Sequence, residues 1–296
     1  MKNLSKKTIT IIPNYFLYGI VVLFLTSLIC TSSKGIVSAQ QIEHKNSSLH
    51  NSNSTAISGN ALRFDGSDDY LYILNSASLN PTHEITIEAW VKPDNIMESD
   101  QGIVTKTEGS GYNLYLNHHH GVADGRFFFS LYTSSSNNIN VETTQYTGSG
   151  DWHHVCGTYD GSIMKIYVNG IQKSSYSSEG NIHPSSIPLF IGAEYQEGRI
   201  DYFFHGLIDE VRVWNIARSQ SQIKSDMHRK LHGNEPGLAG YWDFNEGFGQ
   251  VLYDRTDNNN DGILGSSPIV DDNDPAWVSS DVPLYYFLQF PIIFKD

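Results

Sequence analysis

Asp209 stands in the run Leu207-Ile208-Asp209-Glu210-Val211-Arg212-Val213-Trp214, whose alternation reads as a β-strand. Alternate residues of a strand share a face, so Asp209 is expected beside Leu207, Val211 and Val213 on the buried side. A carboxylate there needs a partner. Two partners stay open. One is a bound Ca²⁺, with Asp65 of the Phe64-Asp65-Gly66 turn as co-ligand and Asp68 joining through its short turn. The other is a set of backbone N–H groups.

The remaining carboxylates and histidines offer less. Asp68-Asp69 is adjacent on a turn, and Asp209-Glu210 is expected to point to opposite strand faces, so neither makes an acid–base pair. No G-x-S-x-G, H-E-x-x-H or phosphate-binding glycine loop occurs, and no catalytic residue is assigned. Consecutive residues of a strand cannot all face one ion, which favours a solvated loop for His118-His119-His120. Asp257 to Gly262 matches the first half of a Ca²⁺ loop, but the twelfth position is Pro268, so a polar turn is expected. Asp271-Asp272-Asn273-Asp274 reads as a solvated loop.

For ligand contact the candidates are aromatic. Trp90 falls opposite Ile85, Ile87 and Ala89, a position from which it would stack on a sugar ring or pack in a core. Tyr115 and Tyr132 are further candidates for an aromatic surface.

These residues need elements to hold them. Alternating runs at 85–91, 125–133, 152–159 and 163–168 are separated by turn residues, and Asp160-Gly161 and Asn169-Gly170 mark hairpins. Residues 152–176 therefore read as a three-stranded meander. Further strands fall at 188–193 and 205–215. One helix is expected, capped by Ser219 with Gln222 three residues on, carrying Ile223, Met227 and Leu231 and stopped by Gly233. Many short strands and a single surface helix predict an all-β, two-sheet antiparallel sandwich.

Four segments, ALRFDGSDDYLYI, ITIEAWVKP, DWHHVCGTYDGSIMKIYVNG and HGLIDEVRVWNIARSQSQI, resemble the laminin-G-like jelly-roll domain of the concanavalin A-like lectin/glucanase superfamily. They keep the family's order over residues 60–231. The resemblance implies one concave sheet, with rim loops that bind Ca²⁺, glycans or protein partners in various members. A hydrolase of the superfamily would carry E-x-D-x-x-E, which is absent. Residues 237–265 resemble a segment that flanks such domains.

The expected organisation is a signal peptide or membrane anchor at 1–39, a disordered linker at 40–58, and a jelly-roll domain at 59–236. An extension packed on the sandwich (237–280) and an apolar tail (281–296) follow. Lys2, Lys6 and Lys7 precede the apolar run Tyr15–Cys30 and the small residues Val37-Ser38-Ala39. That run is shorter than the roughly 20 residues that span a bilayer, so membrane contact is expected only if the segment stays uncleaved. Cleavage would leave Cys156 alone, with no disulfide.

The net charge of −13 argues against nucleic-acid partners and suits hard cations. The expectation is a secreted or cell-surface, non-catalytic module for an extracellular glycan or protein. A structural surface protein without a small ligand, or a diverged glycoside hydrolase, is the alternative.

Overall fold

A computed structural model describes residues 59–94, 99–116, 125–144 and 148–284. The leader and linker, His118-His119-His120 and the tail beyond Leu284 lie outside the described residues.

The chain runs β1 (Gly59–Asp65), β2 (Leu71–Ile73), β3 (Ile85–Pro93), β4 (Gln101–Thr107), β5 (Gly111–Leu116), β6 (Phe127–Thr133) and β7 (Ser136–Glu142). It continues through β8 (His153–Tyr159), β9 (Ile163–Val168), β10 (Ile171–Ser177), β11 (Leu189–Ile191), β12 (Glu194–Gln196), β13 (Arg199–Asp201) and β14 (His205–Trp214). Helix α1 (Gln220–Asp226), β15 (Leu238–Trp242), β16 (Val251–Leu252), β17 (Gly262–Leu264) and β18 (Ala276–Ser280) complete it.

Two antiparallel sheets form a jelly-roll sandwich. The first has the order β10-β9-β8-β3-β14-β1-β18, with β15 also on β14; the second has the order β16-β17-β2-β11-β4-β5-β6-β7. Their inner faces supply one core, in which Ile87, Ala89, Val155, Ile208, Val211 and Val213 meet Leu114, Phe127, Phe129 and Leu131. The β12–β13 hairpin forms a separate two-stranded ribbon.

The meander forms as β8, β9 and β10. At its second turn Asn169 and Gly170 both take positive φ, 50° and 69°, the geometry that matches strand twist in a two-residue hairpin. Residues 238–280 supply strands to both sheets, β15 on β14, β17 on β2 and β18 on β1, and Trp242 and Phe244 enter the core.

The helix starts at the expected capping box of Ser219 and Gln222. It ends at Asp226, short of Leu231, which packs instead with Trp214, Leu238 and Tyr241. Ile223 presses α1 onto Cys156 and Tyr167, so the helix covers the outer face of the first sheet.

One local feature overturns two expectations. Asp209 pairs with Trp90 and Arg212 with Glu88, so Glu210 and Val211 together oppose Ala89. Glu210 is the extra residue of a β-bulge, with φ 52°. The bulge resets the alternation. Val211 and Val213 face the core, whereas Asp209 and Glu210 both lie on the outer side. Asp209 thus shares no face with the two valines, and the two acids do not point oppositely.

Candidate functional site

After β1 the chain crosses from the first sheet to β2 of the second through Gly66–Tyr70. Gly66 takes φ 79°, and the turn closes on its own carboxylates. Asp65 Oδ1 accepts the N–H groups of Ser67 at 2.7 Å and Asp68 at 3.4 Å; Asp69 Oδ2 accepts the N–H of Asp65 at 2.8 Å. One oxygen each of Asp65, Asp68 and Asp69 lies within 4.8 Å of the others. The turn is the place where the described residues bring three possible metal ligands together.

Asp69 is buried, and burial raises its carboxyl to about 6. The charges of Asp65, Asp68 and Asp274 add to the shift, and the Asp65 N–H bond opposes it. Asp274 comes from the loop before β18, which docks where the N–H of Tyr70 meets the carbonyl of Asn273. An all-oxygen set with crowded negative charge fits a hard cation such as Ca²⁺, whose remaining ligands would be carbonyls and water. A bound cation would favour the ionised form of Asp69, which burial and the neighbouring charges disfavour.

Asp209 is elsewhere. Asp65 pairs with His205, and Asp209 lies four residues further along β14, about 13 Å away at the strand rise. Its carboxylate accepts the Ser280 hydroxyl at 2.7 Å and the Glu210 N–H at 2.8 Å. Burial and the Glu210 charge push it well above the usual carboxylate range. Glu210 is held by Arg212 at 2.7 Å and by the Tyr241 hydroxyl at 2.8 Å, so of the two acids Asp209 is the one that burial favours as neutral. The structure therefore joins Asp65 and Asp68 with Asp69, which the sequence reading left out, and separates Asp209 from them.

The centre of the first sheet's outer face is sealed. Trp90 is 3% exposed; its Nε1 donates to the carbonyl of Met227 at 2.7 Å, and its ring lies against His154 and His228. Val282 and Leu284 pack on it from the chain's last described turn. Beside it Glu88 accepts from Trp214 Nε1 at 2.9 Å and Arg218 at 3.3 Å, with Arg212 and His154 within 3.6 Å. Burial alone would raise Glu88, but the His154 hydrogen bond and the charges of Arg212, His154 and Arg218 hold it at about 2. With helix α1 and residues 282–284 laid over them, these groups clamp the fold.

On the second sheet, one row of the outer face reads Tyr72, Phe190, Thr105, Asn113, Ser130 and Asn140 across successive strands. Tyr115 sits one step along from Asn113, 2% exposed and beside Glu194. The β12–β13 hairpin closes over this face. Thr105 donates to the carbonyl of Ala193 at 2.8 Å, and Tyr195 stacks on Phe190 with centroids 6.1 Å apart. Tyr115 is thus no open platform, and Tyr132 is half-buried. Side chains of the 257–262 turn are engaged within the protein, Asn259 on the carbonyl of Asp257, Asp261 on the N–H of Asp254 and Asn260 on the hydroxyls of Ser76 and Ser78.

With this geometry in view, the family can be stated. Residues 65–224 match the laminin G family described as "Concanavalin A-like lectin/glucanases superfamily", and the chain belongs to it. Among curated proteins it is similar to pappalysin-1 of Mus musculus, 27% identical over 194 residues, covering 60% of this chain and 12% of that protein. It is also similar to the sushi, von Willebrand factor type A, EGF and pentraxin domain-containing protein 1 of Rattus norvegicus, 27% identical over 177 residues. That match covers 57% of this chain and 5% of the relative. A solved Bacteroides ovatus protein described as carbohydrate binding superposes with a TM-score of 0.62 at 24% identity, over 76% of this chain and 61% of that one. At that identity the likeness is one of fold.

Proposed function

We propose that this protein is a non-catalytic binding module of the cell exterior or cell surface, recognising a glycan or a protein surface, with Ca²⁺ held at Asp65, Asp68 and Asp69. The single observation that carries the reading is the acidic turn joining the two sheets, where three carboxylates converge and burial lifts Asp69 to about 6. Family membership supports the binding role. A glycoside hydrolase needs two carboxylates flanking a substrate. Asp209 and Glu210, the adjacent pair on β14, lie sealed beneath Ser280 and Tyr241, which supports a non-catalytic reading. The exterior location rests on the basic, apolar and small-residue pattern of residues 2–39.

A glycan array read in Ca²⁺ and in chelator, with the wild type and Asp68→Asn, tests the proposal. Binding in Ca²⁺ that is lost on chelation and in the variant is expected. Equal binding in all four conditions would overturn the calcium role.

A further inference from the structure

We infer that the cleft between the loop preceding β3 and the end of β14 is a binding subsite for a neutral saccharide. Its volume is about 440 Å³, and Ser78, Asn80, Thr82, His83, Glu84 and Asn215 line it. Small-molecule sites span about 300–1,000 Å³, so one or two sugar rings are the ligand size that fits.

Half of the six polar lining residues are fixed in advance. Asn80 Nδ2 donates to Asn75 Oδ1 at 2.7 Å and to the carbonyl of Ser76 at 2.9 Å, and its Oδ1 accepts the N–H of Ser185. Ser78 Oγ donates to Asn260 Oδ1 at 3.3 Å and accepts from its Nδ2 at 3.1 Å. Glu84 Oε2 accepts the Ala217 N–H at 3.0 Å, which holds the carboxylate in place. The other half is available. Thr82, His83 and Asn215 are exposed and make no side-chain hydrogen bond among the described residues.

The chemistry of this set selects its ligand. A carboxylate accepts from hydroxyls, an amide both donates and accepts, and a hydroxyl and an imidazole each do either. Such mixed, closely spaced capacity matches a polyol. No lysine or arginine lines the cleft, and with Glu84 in it and a net charge of −13 an anionic ligand is repelled. The lining also has no Trp, Tyr or Phe ring to stack on, so affinity for a single sugar should fall in about the millimolar range.

This inference rests on reading the chain as a binding module but not on the calcium turn. The test is an amide-resolved NMR titration of the full chain with lactose, mannotriose, cellotriose and chitobiose, and with glucuronic acid as the anionic control. At least one neutral sugar is expected to shift the amides of Thr82, His83, Glu84 and Asn215. Asn215→Ala and His83→Ala should each weaken that sugar at least fivefold without lowering the melting temperature. Asp68→Asn should bind it as the wild type does, whatever becomes of the calcium reading. No neutral sugar shifting these amides, a preference for glucuronic acid, or loss of binding in Asp68→Asn would each overturn the inference.

Discussion

Asp209 faces Trp90 across the β3–β14 pair, on the outer side of the first sheet, because Glu210 occupies an extra position in its strand. Ser280 of β18 then reaches over and donates its hydroxyl to Asp209 at 2.7 Å. A residue that alternation alone would bury in the main core thus ties the last strand of the sheet to its centre.

That placement sets the behaviour of Asp209 with pH. Its folded carboxyl is raised by burial and by Glu210, so its contribution is fully present below the unfolded pKa of about 4 and is lost as pH rises. At neutral pH the wild type carries the penalty and Asp209→Asn does not. The substitution should raise the melting temperature by a few degrees at pH 7.5 and little at pH 4. A lower melting temperature at pH 7.5 would contradict the assignment of the proton to Asp209.

Glu88 has the opposite sign. Its carboxyl drops from 4.5 to about 2, so its stabilisation is present above pH 4.5 and is lost as pH falls towards 2. The shift is worth up to about 3 kcal/mol, at 1.36 kcal/mol per pKa unit. Glu88→Gln would leave Arg212 and Arg218 facing a neutral group in a sealed space, at a cost of about 3–5 kcal/mol. Urea unfolding from pH 6 to pH 2.5 should show the wild type converging on the variant as pH falls. Parallel curves would contradict the charge assignment.

A chain ending at His232 should lose cooperative unfolding. It lacks β15, β17 and β18, strands of both sheets, together with the core side chains of Trp242 and Phe244. Differential scanning calorimetry would decide; a sharp transition near the full chain's temperature would show the segment to be dispensable.

The fold was legible where the signals were local. Ser219 and Gln222 three residues apart, and Asn169-Gly170 between alternating runs, each specify their geometry within a few residues. The face of Asp209 was not, because one inserted residue reverses the parity on which the alternation depends. The closure of Trp90 depends on Met227 and Leu284, distant in sequence, and that of Tyr115 on the hairpin after Ala193. Asp65 and Asp68 were legible as a turn, whereas Asp69 reads in the sequence only as the neighbour of Asp68. The signal that could have found it is the Asp65–Asp69 spacing, which lets the second carboxylate fold back on the first residue's N–H.

The measurement that bears most directly on the calcium-supported binding module is the melting temperature of wild type and Asp68→Asn, in chelator and in millimolar Ca²⁺, at pH 5 and pH 7.5. Asp69 titrates near 6, so the folded turn holds an extra proton between about pH 4 and 6, and Ca²⁺ must displace it. A cation at 100 times its dissociation constant adds about 2.7 kcal/mol, or roughly 5–10 °C for a domain of this size. The wild type should gain that at pH 7.5 and clearly less at pH 5, and Asp68→Asn should gain little at either. Identical melting temperatures with and without Ca²⁺ at pH 7.5, or an equal gain in Asp68→Asn, would contradict the account.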